Sequence, residues 1–244
     1  MKKAFTIALL MIAAVPFLIA VAALPLHGAG DTPVHTHVSA RYLEQGAEEA
    51  GASNIVTAVL LNYRSLDTAG EVTVIFTALA AVLAVLIAAG TVNVSNGTDP
   101  RPPDSRPVTR PVSPVVLFVV RLLAPFIAMF ALYTILHGHA APGGGFQGGA
   151  ILGALFIALT VVLGDARMRG LMRPPVMVWL QGSAVLSFVV VGAVGAALTG
   201  HFLGYPKGPG THLAAEMMLM LLELGIGIGG AVIFATIFLQ MEAD

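Results

Sequence analysis

Hydrophobic positions in this chain fall in six long blocks separated by polar stretches. Met1 to Leu26 opens with Lys2 and Lys3, then runs more than twenty residues without a charge, broken only by Pro16 and Pro25. A signal peptide has an apolar core of about 7 to 15 residues, so this longer run predicts a first membrane span. Val72–Ala89, Val115–Leu136, Ala150–Leu163, Val176–Leu198 and Leu213–Leu239 predict five more, since about 20 apolar helical residues cross a bilayer. Ala150–Leu163 is short unless Gly148 and Gly149 belong to it. Two stretches depart from this pattern. His27 to Gly51 is polar and must meet water or another subunit. Ser53 to Arg64 places Ile55, Val56, Val59 and Leu60 on one helical stripe but is too short to span, which predicts an amphipathic or re-entrant helix. Thr91 to Pro114 holds Pro100, Pro102, Pro103, Pro107, Pro111 and Pro114, a density that no helix continues through. It marks a boundary between modules 1–113 and 114–244.

Composition turns this pattern into a class. Apolar residues make up 57% and charged residues 10%, with a mean hydropathy of +0.89. Soluble domains carry about 25% charged residues. The expected fold is an all-α integral membrane protein of about six transmembrane helices plus the short amphipathic or re-entrant helix, with the lipid bilayer as its first partner. A net charge of −1 without a basic arm excludes nucleic acid as a natural partner, and the absence of Cys excludes disulfides and thiolate metal sites. Basic residues in short loops collect on the cytoplasmic side. With both termini inside, Lys2, Lys3, Arg101, Arg106, Arg110, Arg121, Arg167, Arg169 and Arg173 fall inside, and Arg41, Arg64 and Lys207 outside. That bias predicts cytoplasmic N- and C-termini in the cytoplasmic membrane and puts all seven His on the outer side.

The most unusual stretch is the polar hairpin His137 to Gly149 between the third and fourth spans. Its Gly143, Gly145 and Gly148 spell G-x-G-x-x-G, but a dinucleotide loop follows a short buried strand and is paired with an acid about twenty residues on. Here a long apolar run precedes it, and Asp165 lies across the bilayer. No Lys-Ser or Lys-Thr follows for a Walker loop. Two readings remain. Pro142, Gly143, Gly144, Gly145, Phe146, Gln147, Gly148 and Gly149 let two spans turn and pack closely, or the freed backbone groups join His137, His139 and Gln147 in lining a water-filled entry for an ion or proton. The pairs His35-x-His37 and His137-x-His139 suit zinc or copper, yet no third and fourth ligand stands at a fixed spacing, so no metal is expected. As titratable groups near neutral pH these His are candidates for relaying protons.

Acids inside a span cost about 2.5 kcal/mol or more and face a bundle interior or a pathway. Glu216 and Glu223, seven residues apart in the sixth span, share one helical face about 10 Å apart along the axis. Glu216 is near the interface; Glu223 is near mid-span, followed by Gly225, Gly227, Gly229 and Gly230. No cation in the chain is an evident partner, so Glu223 is expected to meet another subunit or to be protonated. At the head of the second span Asp67 and Glu71 are i, i+4, and Arg64 can pair with one of them. No nucleophile-base pair or cofactor motif is present, so no enzyme activity and no cofactor are expected on this chain.

The octapeptide Pro-Gly-Gly-Gly-Phe-Gln-Gly-Gly within His137 to Gly149, with Leu-Glu-Leu-Gly-Ile-Gly-Ile at Leu222 to Ile228, resembles the MrpB (MnhB) subunit of Mrp-type multisubunit sodium/proton antiporters over about Val115 to Asp244. Asn54 to Glu71 resembles the segment near the C-terminus of the large MrpA subunit, which is a separate small subunit in membrane-bound hydrogenase and sulfane reductase complexes. The resemblance implies two modules fused across the Pro-rich linker. It also implies other membrane subunits as partners, Na+ and H+ as the ions, and a place in an antiporter or a redox-driven respiratory complex. It matches Asp67, Glu71 and Glu223 to acidic positions of the family. Glu223, Glu216, Asp67, Glu71, Arg64, His137 and His139 are thus the ion or proton pathway candidates, against a rival reading in which the chain only clamps larger subunits.

Overall fold

A computed structural model describes residues 2–32, 34–88, 112–164, 168, 170, 174–208 and 210–241. Most of the Pro-rich linker and the basic residues Arg167, Arg169 and Arg173 lie outside the described residues. Every regular element among those described is helical: α1 (Lys2–Ala22), a π-helical turn (Val34–Val38) leading into α2 (Ser39–Ala50), α3 (Ile55–Thr57) continued as a π-helical stretch (Ala58–Tyr63), α4 (Ser65–Ala88), α5 (Pro114–Leu136), α6 (Gly145–Leu163), α7 (Pro174–Thr199) and α8 (His212–Met241). Six of these are long and apolar enough to cross a membrane: α1, α4, α5, α6, α7 and α8.

The chain divides into two compact units, Met1–Glu44 and Gln45–Asp244. In the first, α1 continues through Pro16, and no residue of its apolar stretch Phe5–Ala22 is buried within the unit. The Ser39 hydroxyl donates to the Val34 carbonyl at 2.6 Å where the π-helical turn passes into α2. The polar stretch His27 to Gly51 is therefore partly helix.

The second unit is organised around α8, which packs against α4, α5, α6 and α7. Its glycines explain how three of them, α5, α6 and α7, approach it. Residues two apart on a helix lie on nearly opposite sides. A Cβ on Gly225 would stand 2.4 Å from Ser187 Oγ, and one on Gly229 3.0 Å from Ala184 Cβ, both on α7. One on Gly227, between them, would stand 2.7 Å from Ile135 on α5 and 3.2 Å from the Gly145 carbonyl on α6. Gly230 faces no neighbour within 4 Å.

Two helix starts differ from the hydropathy pattern. Helix α4 begins at Ser65 rather than Val72, adding a polar first turn that carries Asp67, where a negative charge favours a helix N-terminus. Helix α6 begins at Gly145 rather than Ala150, with Gly145, Gly148 and Gly149 all buried. A Cβ on Gly149 would stand 2.7 Å from the Gly227 carbonyl, so glycine here permits backbone contact with α8. The Ser53 to Arg64 stripe is helical as its pattern predicts, but its second half is π-helical. A widened turn frees carbonyls from the α-ladder. The Thr68 hydroxyl donates to Leu60 O at 2.6 Å, the Tyr205 hydroxyl to Leu61 O at 2.7 Å, and the Arg64 N–H to Val59 O at 2.8 Å.

Candidate functional site

The hairpin between α5 and α6 is closed by its own backbone. The Ala140 and Ala141 N–H groups donate to His137 O at 3.0 and 2.7 Å, and the Gly144 N–H to Thr134 O at 3.1 Å. Gly143 and Gly144 take φ of 150° and 138°, a region that side chains disfavour. The hairpin is then fastened to the start of α3. Asn54 caps that helix through Val56 N–H, received on Oδ1 at 3.0 Å, and its Nδ2 donates to Gly138 O at 2.7 Å and Ala141 O at 2.9 Å. The Asn54 N–H donates to His139 O at 3.0 Å, and Ser53 Oγ to Ala140 O at 3.3 Å.

Beneath this fastening lies Glu223. It is 1% exposed, the one carboxylate in the buried interior among the described residues. Its Oε1 is 3.2 Å from Thr57 Oγ1, which is also 2.7 Å from Gly138 O. A hydroxyl donates once and accepts twice. Thr57 can thus give its proton to the carboxylate, or give it to Gly138 O and accept one from the protonated acid, so the contact serves either state of Glu223. The His139 backbone N–H is directed at the same carboxyl, while Oε2 is buried without a protein partner. Gly138 is a steric requirement: a Cβ there would stand 2.4 Å from Glu223 Oε1 and 2.6 Å from the Gly144 Cα. Glu223 is expected from the sequence to meet another subunit or to be protonated; its Oε1 has contacts inside the chain, because the hairpin folds down over α8.

Toward the α8 N-terminus, Glu216 Oε1 lies 2.9 Å from His139 Nε2, the acid 41% and the imidazole 12% exposed. His139 therefore stands between a half-exposed acid and the buried one. Other expected residues lie apart from this cluster. His137 is exposed and stacks on Tyr133, with ring centres 4.3 Å apart. Arg64 Nη2 pairs with Asp67 Oδ2 at 2.5 Å, both more than half exposed, and Glu71 is exposed. Arg64 and Asp67 line a separate cavity of about 1100 Å³ with His201, Tyr205 and Lys207. Of the octapeptide, Pro142 is exposed, Phe146 packs against the core, and Gln147 reaches back so that its Oε1 would stand 3.2 Å from a Cβ on Gly144. No three His, Asp or Glu side chains gather as a metal site among the described residues.

Thr57 and Tyr205 are the members that sequence reasoning missed. Thr57 is a hydroxyl three residues after an Asn cap on an otherwise apolar stripe, a signal legible in retrospect. Tyr205 gives none, because its acceptor is far off in sequence. Burial, and secondarily the Glu223 carboxylate, push its phenol well above the usual tyrosine range.

Comparison with known proteins places this geometry. Residues 115–238 match the family model described as a domain related to the MnhB subunit of Na+/H+ antiporter. The chain belongs to the MnhB family. Residues 7–90 match a second family model, MbhE, named for a subunit of MBH. Asn54 and Thr57 thus lie in one matched segment, and the hairpin and Glu223 in the other. The MnhB-family chain is 27% identical over 187 residues to a probable K(+)/H(+) antiporter A/B subunit of Rhizobium meliloti (strain 1021), a match covering 71% of this chain and 18% of that protein. Among solved structures it is similar to a chain of the membrane-bound sulfane sulfur reductase, an archaeal respiratory membrane complex, at 29% identity and a TM-score of 0.60, covering 96% of this chain and 98% of that one. It is also similar to a chain of the Mrp complex from Dietzia sp. DQ12-45-1b, at 26% identity and a TM-score of 0.64, covering 98% of this chain and 26% of that one. The chain is a multi-pass membrane protein of this family.

Proposed function

We propose that this MnhB-family chain is a membrane subunit of an Mrp-type cation/proton antiporter or an Mrp-derived respiratory complex, that it sits in the cytoplasmic membrane with other membrane subunits, and that Glu223 takes part in its ion or proton pathway. The observation that carries this reading is the buried Glu223 carboxyl, held at mid-span by a hydroxyl that serves either protonation state. A purely structural acid is better served by a fixed donor, whereas Thr57 has an alternative acceptor in Gly138 O. The Glu216–His139 contact above it supports a connection toward the α8 N-terminal end. In this proposal Asn54 and Thr57, from the first module, complete the hairpin site of the second.

The test replaces Glu223 by Gln in the full complex, follows assembly on a native gel, and measures cation/proton exchange in vesicles. The expected result is normal assembly with exchange reduced at least about tenfold, the loss of one specific transition-state contact or more. Normal assembly with unchanged exchange overturns the pathway role. A second reading, a clamp without part in ion movement, draws on the stitching of the hairpin by Asn54 and Ser53. Loss of assembly in Glu223→Gln with exchange retained by whatever complex forms favours it.

A further inference from the structure

Beside Glu223, between the α3 segment and the descending limb of the hairpin, lies a cavity of about 40 Å³. Its polar lining comes from Thr57, Thr68, Gly144, Gln147 and Glu223. One water needs about 10–15 Å³, so the space admits one small ion with a water or two and excludes a full hydration shell. Three observations bear on what it takes. The Glu223 Oε2 atom is buried and without a protein partner, in a residue only 1% exposed. Gln147 Oε1 and Glu223 Oε1 converge on Gly144, standing 3.2 and 3.8 Å from the point where its Cβ would be. The carbonyls freed by the π-helical stretch at Leu60 and Leu61 are occupied by Thr68 and Tyr205, and the buried Glu223 and Thr57 and the exposed Gln147 are the oxygen-bearing side chains that remain in the lining.

All of these are hard oxygen donors, suited to alkali and alkaline-earth ions rather than to zinc or copper. Glu223 is the only charged residue lining the cavity among the described residues. One negative charge neutralises a monovalent ion; a divalent ion leaves an uncompensated charge in apolar surroundings. We propose that this cavity is a binding site for one largely dehydrated monovalent metal cation, with Glu223 Oε2 as its charged ligand and Gln147 Oε1 and Thr57 Oγ1 as neutral ones, and that cation and proton occupy Glu223 in turn. The exchange balances. The carboxyl O–H bond breaks, its proton leaves to water, the cation takes the carboxylate, and the net charge of the site is unchanged. The titratable groups around Glu223 are Tyr205 from the loop before α8, His139 of the hairpin, whose backbone N–H reaches Glu223 while its imidazole meets Glu216, and Glu216 itself, two turns along the same helix. The side chains that α4 and α6 present to the cavity, Thr68 and Gln147, do not titrate.

This inference rests on the reading of Glu223 as a pathway residue, and the experiment separates the two. The purified complex containing this chain is titrated with NaCl, KCl or LiCl against choline chloride while infrared difference spectra are recorded. At least one of the three metal ions is expected to remove a protonated-carboxyl band saturably and raise carboxylate bands, with no such change in Glu223→Gln. The half-saturating concentration is expected to rise about tenfold per pH unit lowered while the acid is mostly protonated, as competition requires. It is expected to rise about tenfold in Gln147→Leu or Thr57→Val, the loss of one ligand. A Glu223-dependent band that follows pH but no monovalent metal ion overturns the cation site and leaves the pathway reading intact. Unaltered half-saturation in both Gln147→Leu and Thr57→Val also overturns it, and this arm holds even if Glu223→Gln fails to assemble. Both readings fall if no band depends on Glu223 and exchange is unchanged without it.

Discussion

At the scale of single residues, the site depends on atoms that are absent as much as on those present. Gly138 has no side chain because Glu223 and Gly144 occupy the space one would need. The carboxylate could swing, but the Gly144 Cα is backbone, so Gly138→Ala must displace the hairpin. A cost of about 1–3 kcal/mol is expected from such overpacking, read as a lower melting temperature of the purified complex. Tyr205 makes the opposite kind of contribution, supplying a hydroxyl to the Leu61 carbonyl that the π-helical stretch has freed. Tyr205→Phe leaves that acceptor buried and unpaired, at about 1–3 kcal/mol. Its phenol is held above the usual tyrosine range by burial first and the Glu223 charge second. The folded protein therefore keeps this proton where the unfolded chain releases it, near about pH 10. The stability it contributes is complete below that pH and declines as pH rises above it. Melting temperatures taken from about pH 8 to about pH 11 should fall more steeply for the native protein than for Tyr205→Phe; parallel curves refute the linkage.

At the scale of elements, the hairpin is held less by its own turn than by the capped start of α3. Asn54 supplies two hydrogen bonds to hairpin carbonyls in addition to capping its helix. Asn54→Ala should cost about 1–3 kcal/mol and speed hydrogen exchange at the amides of residues 138–144, while amides in mid-α7 keep native protection. Uniform protection across the hairpin would mean the turn stands alone. Much of this level was legible in the sequence. Apolar run length located all six helices that are long and apolar enough to cross a membrane, because such a helix advertises itself over some twenty positions. Helix starts were less legible: α4 begins in a polar turn and α6 in glycine, and hydropathy registers neither. The site was half legible. Glu223 stood out as an acid in an apolar run, and the octapeptide as glycines needing a reason. Their meeting with Thr57 was not, since that contact closes across 166 residues and no local pattern encodes it. Arg64, Asp67 and Glu71 read as a cluster and form a surface group apart from Glu223, where an exposed ion pair is worth about 0–1 kcal/mol.

At the scale of the whole molecule, the way the protein faces decides from which side Glu216 and His139 are reached. Helix α5 has 23 residues, about 35 Å at 1.5 Å per residue, enough to carry Ser113 and the hairpin to opposite sides of a hydrocarbon core about 30 Å thick. Helices α7 and α8 meet at the loop containing His201, and α8 brings His139 and Glu216 to the same end as that loop's last residues. The distribution of Lys and Arg, nine against three, favours the hairpin and this loop outside and both termini inside. The chain has no Cys, so single cysteines report without background. Ser113 and His201 are both exposed at helix ends. In intact cells, His201→Cys should react with a membrane-impermeant maleimide, and Ser113→Cys only after permeabilisation. The reverse pattern would turn the molecule over and make Glu223 accessible from the cytoplasm. Labelling of both in intact cells would show that α5 does not span, since its two ends would then share one side.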